Sequence, residues 1–276
     1  MKKTKKFEGI LICTDLDGTL LRDDKTISRE NIEAIEYFKS EGGYFTFVTG
    51  RMPSFVSKMY NAINPNAPFG CINGGGIYDA EQNKYLWSMP LGDGVKELID
   101  SVSVQLPQVA MQVNTKNEIY FLNDNSAMVR FRRVTGVANI TKKFEDITEP
   151  ILKIVFADEN EERILNVEKI LKSHPKADNF DFIRSERRLY EILPKGVSKG
   201  SLLLKLANLL GVEREKTIAV GDYNNDVSMI KCAKIGYAVS NATDAVKAVA
   251  DRVTVSNEEN AIAKIIDELD KGILFI

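Results

Sequence analysis

The sequence predicts an α/β protein with a doubly wound, mostly parallel core and an inserted α+β domain. Towards both ends of the chain, short apolar runs typical of buried strands alternate with stretches typical of helices, which is the order of βαβ units. Residues 84–187 instead mix strand-like and helical pieces, and no strand-like piece there ends in paired carboxylates. We therefore expect a core of residues 1–83 and 188–276 that carries residues 84–187 as a second domain.

The first predicted strand is an apolar run that begins at Ile10 and stops at Asp15 and Asp17. Ligands of an open α/β sheet lie beyond the carboxyl ends of its strands, which is where both carboxylates would emerge. Because burial of a carboxylate costs free energy, the pair needs a cation or hydrogen-bond donors nearby. An EF-hand calcium loop is excluded, because its glycine and its closing glutamate would fall on Leu20 and Thr26. An acidic surface loop is the less favoured alternative.

A predicted helix leads to the second strand, residues 44–48, which ends at Thr49, Gly50 and Arg51. Since a strand, a helix and a strand in this order form a parallel pair, Thr49 should lie at the same sheet edge as Asp15. A threonine hydroxyl there can donate to a phosphate oxygen. A polar turn that caps the next helix is the alternative interpretation.

A third short strand, residues 69–72, ends in Asn73 and three glycines. The spacing differs from that of a dinucleotide-binding loop, so a tight glycine turn is the default interpretation. Such a turn can also present backbone N–H groups to a ligand, which makes it a candidate lining of the site.

Strand-like segments of the inserted region are residues 109–113, 119–122, 151–156 and 181–185. Arg130, Arg132 and Arg133 cluster between two of them and could meet an anionic substrate, although most basic clusters form a solvated face. The sole histidine is His174, which argues against a Ser-His-Asp triad and a multi-histidine metal site.

The core is expected to resume with a strand at residues 189–193, followed by a helix that has Ser198 as its N-cap. Lys199 then falls in the first helical turn, where the helix dipole disfavours a cation. A residue that breaks a local rule often serves function, and a lysine beside carboxylates and a phosphate would stabilise both. An ordinary exposed lysine is the alternative.

The next predicted strand, residues 217–220, is followed by Asp222, Asn225 and Asp226. The sheet would therefore deliver further carboxylates to the edge that carries Asp15. Asp222 and Asp226 are hard oxygen ligands suited to Mg²⁺, although an acidic turn alone would also explain this stretch. Two further strands and a closing helix are predicted at residues 235–239, 252–255 and 258–270.

The composition indicates which binding partners and which cell compartment to expect. A net charge of −2 over 276 residues gives no basic field for nucleic acid. The first six residues are rich in lysine, but the apolar run after them is short, so we expect a solvated tail and neither a signal peptide nor a membrane anchor. The three cysteines lie far apart in apolar sequence, which suits buried thiols in a reducing compartment better than disulfides. We therefore expect a cytoplasmic protein.

Four motifs, taken in order, resemble the four signatures of the haloacid dehalogenase (HAD) superfamily of phosphotransferases. They are Asp15-Leu16-Asp17-Gly18-Thr19, Thr49, Lys199, and Gly221-Asp222 with Asn225-Asp226. The position of the insertion, between the second and third motifs, is similar to that of the Cof-type, sugar-phosphatase-like subgroup. Residues 196–200 also resemble that subgroup, whereas Asn260 stands where relatives commonly have glycine. The resemblance implies a Rossmann-like core and an α+β cap.

The resemblance further implies a Mg²⁺-dependent phosphatase of small phosphomonoesters, such as sugar phosphates or phosphorylated cofactors. Asp15 would be the nucleophile that forms an aspartyl-phosphate, and Asp17 would be the general acid and base. The implied Mg²⁺ ligands are Asp15, the main-chain carbonyl of Asp17, Asp222 and Asp226. The residues implied to bind the phosphoryl group are Thr49, Gly50, Lys199 and Asn225.

Two alternatives stay open. One is a phosphomutase or phosphotransferase that uses the same aspartate and a sugar hydroxyl as acceptor. The other is a non-catalytic module that binds Mg²⁺ and phosphate, which the presence of both Asp15 and Asp17 disfavours because a binder has no need of the second. Whether the chain is a phosphatase or a phosphotransferase, its partner is expected to be a small phosphorylated metabolite. The cap is expected to select this substrate.

Overall fold

The computed structural model describes residues 5–272. The chain forms two compact units. One unit combines the residues up to Trp87 with those from Ser198 onward, and the other is Ser88–Val197. Of the lysine-rich start that we predict to be a solvated tail, residues 1–4 lie outside the described residues. Among residues 5–272, no helix is long and apolar enough to cross a membrane.

In chain order the described strands are β1 (Leu11–Thr14), β2 (Tyr44–Phe47), β3 (Phe69–Cys71), β4 (Gly76–Asp79), β5 (Lys84–Ser88), β6 (Ala110–Thr115), β7 (Ile119–Asn123), β8 (Ile151–Ala157), β9 (Phe180–Glu186), β10 (Leu189–Pro194), β11 (Thr217–Gly221), β12 (Ile235–Ala238) and β13 (Arg252–Val253). The α-helices are α1 (Arg29–Ser40), α2 (Ser57–Ile63), α3 (Val95–Gln105), α4 (Ser126–Thr135), α5 (Glu161–Ser173), α6 (Lys199–Leu209), α7 (Val227–Cys232), α8 (Asp244–Lys247) and α9 (Ala261–Asp270).

The first unit is built on a five-stranded parallel sheet with the strand order β13-β12-β11-β1-β2. β1 lies between β11 and β2, and all four of its residues are buried, which explains why this strand is apolar on both faces. The chain moves from β1 to β2 on one side and later adds β11 on the other. The direction in which strands are added to the sheet therefore reverses at β1. In such a sheet, ligands usually bind in the crevice between the carboxyl ends of the two neighbouring strands at that point, here β1 and β11. The prediction of a doubly wound, mostly parallel core is confirmed.

Two helices of this unit, α1 and α6, begin where the sequence predicts caps. The Ser28 hydroxyl accepts a hydrogen bond from the Asn31 N–H at 3.1 Å, and α1 starts at the next residue after that serine. Ser198 caps α6 in the same way and exchanges a second hydrogen bond with Ser201. Lys199 is therefore the first residue of α6, as the sequence predicts.

A smaller sheet of β3, β4 and β5 adjoins the end of β2. Val48 forms a bridge with Gly70, and the Thr49 N–H donates to the Gly70 carbonyl at 3.0 Å. The turn that follows β3 is therefore held close to the loop that follows β2.

The second unit is an antiparallel sheet with the order β7-β6-β8-β10-β9. One face of this sheet packs on α3 and α5, and the apolar core there includes Val113, Ile154, Ile192, Leu98 and Val167. The strands predicted within residues 109–185 and the helix near residues 162–172 are present, and His174 follows the end of that helix.

One prediction about this region is wrong. Residues 189–193 were expected to return to the core sheet, but β10 pairs with β8 and β9 in the antiparallel sheet, and the second unit extends to Val197. The expected boundary between residues 187 and 188 is therefore too early. The expected boundary between residues 83 and 84 is also too early, because β5 joins the small sheet with β3 and β4 and the second unit begins at Ser88. A buried apolar strand has the same local pattern in either sheet, so the partner strands decide where it belongs.

The other face of this sheet carries a set of buried polar side chains among apolar ones such as Val155 and Phe121. Gln112, Asn114, Lys153 and Glu191 alternate with the core-facing residues of β6, β8 and β10, and each of them is at least 95% buried. Lys153 Nζ lies 3.0 Å from Glu191 Oε2, and Gln112 Nε2 donates to Asn114 Oδ1 at 2.7 Å. We refer to these four residues as the polar face.

Candidate active site

Three carboxylates and one lysine meet at the carboxyl edge of the parallel sheet. One carboxylate oxygen from each of Asp15, Asp222 and Asp226 lies within 4.8 Å of the others. Lys199 Nζ lies between two of these residues, at 2.7 Å from Asp15 Oδ1 and 2.6 Å from Asp226 Oδ1. The side chains of Lys199 and Asp226 are fully buried, so these charges interact through a medium of low polarity. We refer to these four residues as the charged cluster.

Each member of the charged cluster comes from the end of a core element. Asp15 follows β1, and its N–H donates to the Val220 carbonyl of β11 at 2.9 Å. Asp226 Oδ2 accepts hydrogen bonds from the N–H groups of Asp222 and Tyr223 at 3.0 and 3.1 Å, which fixes the turn after β11. Asp15 and Asp222 directly follow strands, and Lys199 begins α6. Asp226 lies in the loop between β11 and α7, where the sequence also predicts it.

Glycine is required at one position beside the cluster. Gly18 has a φ of +78°, and a Cβ at this position would lie 2.6 Å from Asp222 Oδ2. Next to it, the Thr19 hydroxyl donates to Asp222 Oδ1 at 2.8 Å. Thr19 thus orients one of the carboxylates. This contact could not be assigned from the sequence, because the two residues are 203 positions apart.

The electrostatics of the cluster reflect an excess of negative charge. Burial raises the pKa of Asp15 well above its usual value, Lys199 opposes this rise, and the charges of Asp226 and Asp222 add to it. Burial and then the charge of Asp226 raise the pKa of Asp222 to about 7. Burial alone would lower the pKa of Lys199, but Asp15 and Asp226 outweigh it, so the pKa lies above the usual value. One lysine therefore does not balance the three carboxylates.

Asp17 stands apart from this cluster. Its carboxylate accepts two hydrogen bonds from the Arg51 guanidinium, both at 2.8 Å, and a third from Lys25 Nζ at 2.9 Å. Burial would raise the pKa of Asp17, but Arg51 and then Lys25 lower it to about 2. From the sequence, Arg51 could be placed only as part of a turn, and Lys25 could not be linked to Asp17, because neither residue lies next to Asp17 in the chain.

The residues expected to bind phosphate lie in the neighbouring loops. Thr49 is buried, and its hydroxyl accepts a hydrogen bond from the Arg51 N–H at 3.2 Å, while Gly50 lies between the two. Asn225 Nδ2 donates to Asn73 Oδ1 at 3.0 Å. Asn225 Oδ1 is buried and has no hydrogen-bond partner among the residues described. The structure thus brings Lys199 to the carboxylates and joins Asn225 to the turn after β3.

The arginine cluster of the second unit is neutralised in part. Arg130, Arg132 and Arg133 all lie on α4. Arg130 pairs with Glu159 and Arg132 pairs with Asp124, so this cluster is a weak candidate for an anion site.

Comparison with known proteins agrees with this geometry. Residues 12–266 match the family model of haloacid dehalogenase-like hydrolases. A protein of Bacillus subtilis (strain 168), named 5-amino-6-(5-phospho-D-ribitylamino)uracil phosphatase YitU, is 33% identical, and the match covers 94% of this chain and 96% of that protein. Putative phosphatase YxeH of the same strain is 31% identical, with 94% and 97% covered. The crystal structure of a haloacid dehalogenase-like hydrolase from Bacteroides thetaiotaomicron has a TM-score of 0.80 and 26% identity, with 95% and 100% covered.

Proposed function

Because the chain belongs to the haloacid dehalogenase-like hydrolase family, we propose that it is a Mg²⁺-dependent phosphatase that acts on small phosphomonoesters. Its place in the Cof-type subgroup, which the motifs predict, is confirmed. The observation that carries the proposal is the charged cluster, in which Asp15 lies beside Lys199, Asp222 and Asp226. These relatives are named as a phosphatase and a putative phosphatase. Their names favour hydrolysis of the phosphoryl group over its transfer to a sugar hydroxyl.

The charged cluster fits a magnesium ion. Its donors are carboxylate oxygens, the type that Mg²⁺ prefers, and they lie close enough to share one ion. The raised pKa values of Asp15 and Asp222 indicate a shortage of positive charge, which a divalent cation would supply. Asp15, Asp222, Asp226 and the main-chain carbonyl of Asp17 would hold the ion. When bound, Mg²⁺ would offset the repulsion between the attacking carboxylate and the phosphate dianion.

Asp15 would attack the phosphorus atom of the ester. A carboxylate oxygen of Asp15 forms the new bond as the bond from phosphorus to the ester oxygen breaks, which gives an aspartyl-phosphate. A water molecule then attacks the same phosphorus, and inorganic phosphate leaves as Asp15 is regenerated. Thr49, Gly50, Lys199 and Asn225 would bind the phosphoryl oxygens while charge redistributes among them.

Asp17 would move the protons in both half-reactions. It would protonate the leaving oxygen in the first and accept a proton from the attacking water in the second. The hydrogen bonds from Arg51 and Lys25 hold Asp17 as a carboxylate, so it must leave these partners to act as the acid. We therefore propose that the structure has Asp17 in its resting position.

The substrate is proposed to be the phosphate ester of a sugar, a polyol or a cofactor precursor. The relative YitU is named for a phosphorylated ribitylaminouracil, which combines a polyol chain with a uracil ring. We propose this compound and simple sugar phosphates as the first to test. Cys13, Cys71 and Cys232 are present as thiols, which agrees with the proposed cytoplasmic location.

The test is a screen of phosphorylated metabolites in the presence of Mg²⁺, scored by release of inorganic phosphate. We expect release from at least one sugar or polyol phosphate, none in chelator, and none from the Asp15→Asn variant. The products are also separated by chromatography, because an isomerised phosphosugar without free phosphate would identify a phosphomutase instead. Equal release in chelator would refute the magnesium role.

A further inference from the structure

The turn after β3 has a strained backbone. Ile72 has a φ of +56° and Asn73 a φ of +51°, so two consecutive residues other than glycine are left-handed. Isoleucine rarely adopts this conformation because its branched side chain collides with the backbone. Such strain persists only where the surroundings hold it, and it is found most often at functional sites.

Hydrogen bonds hold this turn to the loop that follows β2. The Ile72 N–H donates to the Arg51 carbonyl and the Asn73 N–H to the Thr49 carbonyl, both at 3.0 Å. The left-handed pair of residues turns both N–H groups towards that loop. The strained turn is therefore fixed to the residues expected to bind the phosphoryl group.

The Asn73 side chain connects this turn to a third loop. Asn73 is 1% exposed, and its Oδ1 accepts the hydrogen bond from Asn225 Nδ2. The same amide lies against Gly50, where an added Cβ would be 2.9 Å from Asn73 Oδ1. One buried amide thus touches the loop after β2 and the loop after β11.

The bond to Asn73 also defines how the Asn225 amide is oriented. The amide nitrogen has two hydrogens, and Asn73 accepts one of them, which leaves the second for a ligand. A flipped Asn225 amide would place its oxygen against Asn73 Oδ1 and repel it. In the orientation observed, Asn225 Oδ1 is buried without a partner among the described residues, a cost that a bound ligand with a donor would remove.

We propose that Asn73 is a positioning residue, which orients the Asn225 amide towards the phosphoryl group and keeps it in register with Thr49 and Gly50. This inference rests on the proposed phosphatase function. It gives the strained turn a role, since the left-handed backbone places the Asn73 side chain between the two loops.

A double-mutant cycle tests the proposal. Asn73→Gly removes the amide and tolerates the positive φ, and it is combined with Asn225→Ala. We expect each single variant to lower kcat/KM for a phosphomonoester about 10- to 100-fold, and the double variant to lose little more than Asn225→Ala alone. Asn64→Gly is the matched control, because Asn64 is also left-handed but exposed at the end of α2, and it should keep the parent's kcat/KM.

Calorimetric titration with inorganic phosphate in Mg²⁺ gives a second readout. The Kd should rise in Asn73→Gly and in Asn225→Ala by similar factors, again without adding in the double variant. Additive losses in both measurements, or a parent-like Asn73→Gly, would overturn the proposal. If the parent releases no phosphate from any ester, the proposed function fails, and the Kd cycle alone decides on Asn73.

Gly50→Ala provides a second cycle if Asn73→Gly does not fold. The added methyl group would displace the Asn73 amide without removing it. Its effect on the Kd for phosphate should shrink in the Asn225→Ala background, because the displaced amide then has nothing to orient. An undiminished effect in that background would overturn the proposal as well.

Discussion

The two units each contain a buried lysine paired with carboxylates, and the two arrangements differ in charge balance. Lys199 faces Asp15 and Asp226 with Asp222 close by, so negative charge is in excess. Lys153 is paired with Glu191 in the middle of a sheet, among the neutral amides of the polar face. Burial of charge costs free energy in both places. The difference suggests that the charged cluster is built to receive a cation and a phosphate, whereas the polar face stays electrically neutral.

The largest expected effect concerns Asp15. Asp15→Asn should abolish phosphate release, because an amide cannot form the aspartyl-phosphate and is a poorer metal ligand. Release is measured at saturating Mg²⁺, and thermal unfolding checks that the variant is folded. Asp267→Asn, a change of the same type on the exposed side of α9, should behave like the parent. Turnover near the parent's rate in Asp15→Asn would refute the mechanism.

Asp17 should have the next largest effect. Asp17→Asn removes the carboxyl group that we propose to transfer the protons, and it should lower kcat by ~10²–10⁴-fold for an ester with a poor leaving group. For an aryl phosphate with a good leaving group, the first half-reaction should be less affected, and a burst of released phenol should appear. A change in KM alone, with kcat preserved, would contradict the assignment of Asp17 as acid and base.

The excess of negative charge leads to a prediction about the metal. Chelation should abolish activity, and Asp222→Ala should raise the Mg²⁺ concentration needed for half-maximal activity by about 10- to 100-fold. The measurement is a Mg²⁺ titration of phosphate release at fixed substrate. Asp244→Ala, at an exposed position of α8, serves as the control and should leave the titration unchanged. An Asp222→Ala titration that matches the parent's would remove Asp222 from the metal site.

A comparison of Lys199→Met with Lys153→Met would sharpen the contrast between the two clusters. Each change leaves buried carboxylate charge uncompensated and should lower the free energy of unfolding by about 3–5 kcal/mol. Mg²⁺ should recover part of the loss in Lys199→Met and none in Lys153→Met, because we propose that the ion binds at the charged cluster and not at the polar face. Unfolding is followed in urea with and without Mg²⁺.

The double variant Lys153→Met with Glu191→Leu is the control for the second unit. Replacement of the whole buried pair by apolar residues should recover most of the stability lost in Lys153→Met. An equal response of both lysine variants to Mg²⁺ would mean that the two clusters do not differ in the way that we infer.

Local sequence patterns predict much of the charged cluster, and contacts between distant residues account for the rest. Asp15 and Asp222 could be placed because each follows an apolar strand, and parallel strands bring their ends to one edge. The hydrogen bonds from Arg51 to Asp17 and from Asn225 to Asn73 join residues that are 34 and 152 positions apart. No local pattern specifies such pairs. The polar face was missed for the same reason, since its lysine and glutamate lie on strands that look apolar when each is considered alone.

The smallest expected effect concerns the polar face and the choice of substrate. We propose that the second unit selects the leaving group, which the inserted position of this unit led us to expect from the sequence. Amides and a neutral ion pair can hydrogen-bond hydroxyl groups without attracting charge, so the polar face is the part of this unit in which we propose to test selection. Gln112→Leu keeps the size of the side chain but removes the amide.

For Gln112→Leu, kcat/KM should fall about tenfold for a polyol phosphate and change little for an aryl phosphate, which draws less on remote binding energy. Gln105→Leu, at an exposed position of α3, is the matched control and should leave both values unchanged. Thermal unfolding of the two variants excludes a general loss of stability. An equal fractional loss for both substrates would mean that Gln112 supports the fold of the sheet and takes no part in selection. The polar face would then resemble an ordinary buried network, and the contrast with the charged cluster would lie in charge alone.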